Sequence, residues 1–429
     1  MSDTIGWSVQ TDERLLDKVQ RDTLAYFWDF AHPVSGMARE RSNPVEDYDY
    51  QQTVCTGGTG FGVMALLAGA RRGFLARTVV LDRIQRIVGF LGSAETYRGV
   101  FPHFLHGGTG ETVPFSEKDD GGDLVETAYL VVGLLCARQF FAGPTPQETK
   151  LRDSIDRLWH AVQWNWHTRG RDVLFWHSSP RHGWAVEHPI TGWNECLIAY
   201  VLAAASPSYP VSATVYHSGW TNSDVFHNGQ MYFGIELPLG PPFGGPLFFS
   251  QYSFLGLDPR GLRDRFADYW QQNCAHTLIN RAYCIANPRR FAGYGPDCWG
   301  LSACDGDTGY RAFCPQNDRG VVAPTAALSA MPYAPRESMA ALRHLYARLG
   351  EKVYRKYGFI DGFNLSQNWF ASSHLAIDQG PIIVMIENYR SNLLWDLFMS
   401  CAEIRAGLQR LGFESPALNC PMALREANK

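Results

Sequence analysis

Positive charge is in short supply. The chain carries 38 Lys and Arg against 42 Asp and Glu, a net charge of −4. No basic block interrupts it, so the electrostatic footprint of a nucleic-acid binder is missing. Charge of either sign is sparse at 19%, while 45% of residues are hydrophobic, which excludes extended disorder. Long apolar runs are also absent, and a membrane-spanning helix is not expected. The opening Met1–Trp7 has neither a basic nor an apolar segment of the secretory kind. That predicts a cytoplasmic chain, or a periplasmic or secreted one if a leader has been trimmed away. The ten cysteines never form C-x-x-C, so a zinc ribbon or thioredoxin-like site is unsupported. Cys136, Cys196 and Cys401 lie in apolar helical runs and read as small core residues, whereas Cys298, Cys304 and Cys314 could pair in an oxidising compartment. G-x-S-x-G, H-E-x-x-H and P-loop motifs are all lacking. Asp305–Gly309 begins like a calcium loop, but Gln316 stands where the bidentate Glu is needed. Gly60-Phe61-Gly62 has no βαβ surroundings and reads as close helix packing.

What is present is helical periodicity and aromatic surplus. Leu15, Leu16, Val19, Leu24, Phe27 and Phe30 form one broad apolar face. Similar patterns predict helices at 77–93, 123–141, 194–205, 260–276, 325–331, 335–349 and 381–409. Thr145-Pro146-Gln147-Glu148 is a capping box that opens another, running to about Trp164. Long Gly- and Pro-rich stretches separate them, with strand-like alternation only at 173–176 and 231–235. No βαβ rhythm runs through the chain, which argues against a parallel sheet. The fold expected is all-α: an (α/α)6 barrel with long loops and minor β-hairpins at the active-site end. It would be a single catalytic domain over 1–429, with its core at about 11–411 and its terminal helices adjacent.

Three acid-bearing stretches lead into helices. In 119–127, Asp123 and Glu126 fit a helix N-cap and its capping box. The same stretch holds Asp119 and Asp120, and crowded carboxylates raise one another's pKa, as proton transfer or sugar binding requires. In 188–195, Trp193, Asn194 and Glu195 precede a very apolar run. Glu195 there is either a helix-dipole partner or a desolvated general acid. In 375–390, Asp378 and Gln379 precede Pro381, which fits a first helical turn, and Glu387 and Arg390 are spaced to pair.

These runs, 119–134, 192–207 and 376–390, resemble the glycoamylase-like proteins of glycoside hydrolase family 144, and 53–68 and 294–299 add to the match. The resemblance spans about 15–411 in order. It implies cleavage of β-1,2-glucan, endo or exo with release of sophorose, with inversion at the anomeric carbon. By that pattern Glu195 is the general acid, Asp378 the general base, and Asp119 and Asp123 are acids of the same cleft. Inversion needs two carboxyls about 6.5–9.5 Å apart with a water between them. Substrate contacts are expected from Glu126, Trp193, Asn194, Trp369 and Gln379, and from Arg39, Arg41, His103 and Gln251 in the loops, with Trp176 and Trp184 as further stacking surfaces. No cofactor or metal is expected, and the chain would be a monomer whose partner is a β-glucan or gluco-oligosaccharide. The competing readings are a transglycosylase or non-catalytic glucan-binding protein, and, against the acidity of the cleft, a polysaccharide lyase.

Overall fold

The computed structural model describes residues 11–419, so Cys420 lies outside it. Along the chain run α1 (Asp12–Trp28), α2 (Thr56–Arg71), α3 (Arg77–Leu91), α4 (Leu124–Phe140), α5 (Pro146–Ala161), α6 (Leu197–Ala205), α7 (Tyr269–Ala286), α8 (Pro324–Leu328), α9 (Pro335–His344), α10 (Ala376–Ser391), α11 (Leu393–Met399), α12 (Ala402–Arg410) and α13 (Pro416–Asn419). The architecture is helix-rich, with a few small sheets.

Two kinds of helix make the layers. α2, α4, α6 and α10 have almost no polar face, and they are buried along nearly their whole lengths. Such helices must be enclosed on all sides. Truncating one of their leucines, Leu197 or Leu202, would cost about 2–5 kcal/mol. α1, α3, α5, α9 and α12 instead bury one stripe each and expose the rest. α2 packs on α4 and on α10, α1 on α10, α3 on α5, and α12 on α6. The first helix is therefore closed by α10, while the C-terminal α12 lies against α6. The α2–α4 crossing explains the glycines of α2. A Cβ at Gly60 would stand 2.2 Å from the Tyr129 carbonyl oxygen, and one at Gly133 would stand 2.2 Å from the Gly60 carbonyl oxygen.

The strands are short and every described pair is antiparallel. β1 (Thr53–Cys55), β2 (Phe104–His106) and β3 (Thr112–Val113) form one sheet, and β4 (Gly122–Asp123) pairs β5 (His177–Ser178). β6 (His227–Tyr232) with β7 (Ile235–Leu239), and β8 (Ala303–Gly306) with β9 (Gly309–Ala312), are hairpins. β1 runs directly into α2 and β4 into α4, so two strands deliver the chain to two inner-helix N-termini.

Several segments depart from the expected pattern. The helix predicted at 260–276 begins only at Tyr269, where the Asp268 side chain accepts from the Gln271 N–H, and it runs to Ala286. The stretch 381–409 is three helices, broken at Asn392, whose φ of 61° is left-handed, and again at 400–401. The first of these begins at Ala376, so Pro381 lies inside α10 rather than in its first turn. The alternation at 231–235 is the tip of the β6–β7 hairpin, with Phe233 and Gly234 both at positive φ. Asp305–Gly309 spans the end of β8, the turn and the start of β9, with Asp305 opposite Tyr310, and Cys298, Cys304 and Cys314 are all free thiols. No helix among the described residues is long and apolar enough to cross a membrane.

Candidate active site

A cleft of about 370 Å³ opens beside the N-termini of α2, α4 and α6. Arg41, His103, Glu126, Glu195, Tyr252 and Tyr310 supply its polar wall, and Phe115, Trp176 and Phe248 much of its apolar one. An adjoining cavity of about 470 Å³ shares Arg41, Asp47 and Tyr310 with it and extends to Trp369 and Phe370.

Glu195 lies two residues ahead of α6. The Asn194 side chain accepts from the Cys196 N–H at 2.9 Å, so Asn194 works as a local cap. The Glu195 carbonyl accepts from the Ser253 hydroxyl at 2.5 Å and from Tyr129 at 3.4 Å, which fixes the backbone. Burial pushes its carboxyl up to about 7, with the charges of Glu126 and Asp123 adding to the rise. A carboxyl in that range is protonated for much of the time at neutral pH, as a general acid must be.

Asp123 is the N-cap of α4. One of its oxygens accepts from the Val125 and Glu126 N–H groups at 3.0 and 2.9 Å, and the other meets His103 Nδ1 at 3.0 Å. Burial raises its pKa, but the hydrogen bond and charge of His103 win and hold it below the usual value. His103 itself is driven down by burial but up by Glu126, Asp123 and Asp119, and it settles at about 9. Glu126 does not complete the capping box. The Asp123 N–H donates to Phe101, and Glu126 Oε2 reaches α2 to accept from Gly57 N–H at 2.7 Å. Its pKa rises to about 7 through burial, against the field of His103. Asp119 stands behind this group, 3.0 Å from His177 Nε2. His103, Asp119 and Asp123 bring ligand atoms within 4.8 Å of one another, the residue types that hold a cation. A protonated His103 has both ring nitrogens occupied as donors and no lone pair to offer, so in that state it serves as the counter-charge of these acids.

The second acidic group gathers below Tyr252. Asp378 is the third residue of α10, 1% exposed, and accepts from the Tyr252 hydroxyl at 3.3 Å. Its pKa is raised to about 7 by burial, against hydrogen bonds from Asp361 and Tyr252. Asp361, equally buried, is raised further by burial and by the charge of Asp378. Above them Arg41 joins Glu40 at 2.9 Å and Asp305 at 3.1 Å, and Tyr48 donates to Glu40 at 2.5 Å.

Among the expected site residues, Glu126, Glu195, His103 and Arg41 line the cleft, and Trp369 lines the adjoining cavity. Asp123, Asp119 and Asp378 back it at one remove. Four others are placed elsewhere. Trp193 is 2% exposed and packed between Trp220, Phe254 and Tyr269, because an indole beside an apolar helix is worth more in the core. Gln251 is buried, donating to the Ala326 carbonyl, and Gln379 is buried, donating to the Phe359 carbonyl. Arg39 is turned to the Gln51 and Phe30 carbonyls and lies over the Phe30 ring. Trp184 packs against Trp166 with ring centroids 4.6 Å apart and the rings tilted by 36°, while Trp176 does line the cleft. The sequence reading missed Glu40, Tyr48, Tyr252, Asp305, Tyr310 and Asp361. The one signal within reach was Asp305, which the failed calcium pattern had already marked as an acidic turn.

Residues 187–402 match the glycoamylase family, described as "putative glucoamylase". The chain is 43% identical over 423 residues to an exo β-1,2-glucooligosaccharide sophorohydrolase (non-reducing end) of Parabacteroides distasonis. That match covers 94% of this chain but 58% of the relative, so the chain spans little more than half the length of that protein. A Bacteroides uniformis structure, given the same description as the family, superposes with a TM-score of 0.94 at 54% identity, covering 96% of this chain and all of the other. An endo-β-1,2-glucanase of Chitinophaga pinensis, in complex with sophorotriose and glucose, superposes at 0.93 with 50% identity and the same coverage. With both of those structures matched over their full length, the chain belongs to the glycoamylase-like family, of glycoside hydrolase family 144 type.

Proposed function

We propose that this protein hydrolyses β-1,2-linked glucan with inversion, in one (α/α)6-barrel domain. Glu195 acts as general acid and Asp378 as general base. The observation that carries the reading is the pairing of two acid groups of different reach. Glu195 lies on the cleft wall with its pKa raised to about 7, and Asp378 lies beneath it, linked to the cleft through Tyr252. The β-1,2-glucooligosaccharide in the name of one relative and the sophorotriose bound by another support the choice of linkage.

The step balances as follows. The Glu195 carboxyl gives its proton to the glycosidic oxygen as the bond to the anomeric carbon breaks. A water adds to that carbon from the opposite face. Its proton passes to Tyr252 while the Tyr252 hydroxyl proton passes to Asp378. His103 and Arg41, each already paired with acids, orient sugar hydroxyls rather than neutralise a uronate. That pairing speaks against a lyase, which needs an uncommitted cation. Phe115, Trp176 and Tyr310 offer ring faces for stacking, and Trp369 extends the same kind of surface into the adjoining cavity.

The test is incubation with linear β-1,2-glucan, following product sizes by chromatography and the first-formed anomer by proton NMR. The α-anomer should appear first. A ladder of sizes identifies endo cleavage, and sophorose alone identifies exo cleavage. Products longer than the substrate would replace hydrolysis with transfer, and no product from this or other β-glucans would overturn the enzyme reading.

A further inference from the structure

Two carboxyls that share a dry site cannot both be ionised without severe repulsion, and two carboxylates cannot hydrogen-bond, because each only accepts. Asp361 and Asp378 are in this position. Both are 1% exposed. Asp361 Oδ2 accepts from the Asp305 N–H at 2.5 Å, and Asp378 Oδ1 accepts from Tyr252 at 3.3 Å. The remaining oxygen of each, Asp361 Oδ1 and Asp378 Oδ2, is buried with no other donor. The two carboxyls act directly on each other, and one proton shared between these free oxygens is the arrangement that would give both a partner. Among the described residues no Lys, Arg or His is ion-paired with either carboxyl. Arg41 is spent on Glu40 and Asp305. The other groups facing the pair are the carboxylates Asp305 and Glu40, the thiol Cys304, and the phenols Tyr26, Tyr252 and Tyr310. Burial raises the thiol and the phenols Tyr26 and Tyr252 well above their ordinary values, so each is neutral.

We propose that Asp361 is a positioning residue that holds this proton, donates it as a hydrogen bond to Asp378, and so keeps Asp378 ionised and aimed at the start of the cycle. The proposal rests on the reading of Asp378 as the base. Asp378 is the partner that carries the charge, because it lies in the first turn of α10 and accepts from a phenol, whereas Asp361 lies outside any helix. When Asp378 takes the proton delivered through Tyr252, the pair goes from one negative charge to none. It never carries two. The direction of the Asp361 shift, upward by burial and by the Asp378 charge, agrees with a neutral Asp361.

Three variants and one spectroscopic reading test this. Asp361→Asn keeps a neutral donor towards Asp378 and an acceptor for the Asp305 N–H. Its kcat on β-1,2-glucan should stay within about threefold of wild type, with the acid limb of the pH profile unmoved. Asp361→Ala removes the donor, and the acid limb should move alkaline by about one unit, a tenfold loss on that limb. In Asp-selectively carboxyl-labelled protein at about pH 9, above the Asp378 limb, the infrared C=O stretch of a protonated Asp should be present in wild type and absent in Asp361→Asn. The proposal is overturned if folded Asp361→Asn is as inactive as Asp378→Asn, if Asp361→Ala keeps the wild-type limb, or if the protonated-Asp band survives in Asp361→Asn. Should Asp378→Asn retain turnover, the base reading fails on its own, and the infrared band still decides whether Asp361 holds the proton.

Discussion

Tyr252 stands between the cleft and Asp378, lining the first and donating its hydroxyl to the second at 3.3 Å. Asp378 has no exposed path of its own, being 1% accessible, so a proton leaving the attacking water must pass through a hydroxyl. Tyr252→Phe removes that hydroxyl and a donor that lowers the Asp378 pKa. Turnover should fall by at least ~10-fold, the low end of acid–base effects. The acid limb of kcat/KM should shift alkaline with KM little changed. An unchanged profile would show that water reaches Asp378 without Tyr252.

Trp193 and Trp369 should separate a core role from a substrate role. Trp193 is buried among aromatic rings, and Trp193→Ala should cost about 3–5 kcal/mol in urea unfolding, as other large core truncations do. The milder Trp193→Phe should lower stability while leaving KM for glucan near wild type. Trp369→Ala, on a half-buried ring of the adjoining cavity, should raise KM and change stability by less than about 1 kcal/mol. A KM effect from Trp193→Phe larger than that from Trp369→Ala would reverse this assignment.

The α4 and α6 approaches were legible because their signals are local. Asp123 caps α4 where the cap pattern puts it, and Glu195 precedes an apolar helix where the run begins. The lower acid group was not legible. Asp361, Asp305 and Glu40 come from separate parts of the chain and meet only through the fold, so no spacing announces them. Trp193 misled for a physical reason: a Trp next to a Glu suits a sugar site and a core equally well, and only burial decides. Pro381 misled because proline is commonest in a first turn, whereas here α10 starts five residues earlier and tolerates the missing N–H inside its buried length. Among helices, α7 was shifted because the apolar Leu262 and Phe266 pack without being helical, and its cap, Asp268, was overlooked.

Stability should depend on pH through these acids. Glu126, Glu195 and Asp378 all have folded pKa values raised to about 7. Each contributes stability that is complete below its unfolded value of about 4 and is lost as pH rises through about 7. Asp123, lowered by His103, works in the opposite direction and matters only in acid. The urea midpoint should therefore fall between about pH 5 and pH 8. Glu195→Gln removes one such burden and should be more stable than wild type by about 1–3 kcal/mol at pH 8, with little difference at pH 5. A midpoint that is flat across this range would mean that the carboxyls are not raised.

The most direct measurement of the central claim is the turnover of linear β-1,2-glucan by Glu195→Gln beside its affinity for the same glucan. The amide keeps the shape of the side chain and its place on the cleft wall but has no proton to give the leaving oxygen. The kcat should be lower by ~10²–10⁴-fold with glucan binding nearly unchanged. Turnover close to wild type would remove Glu195 as the acid, and with it the mechanism proposed for this cleft.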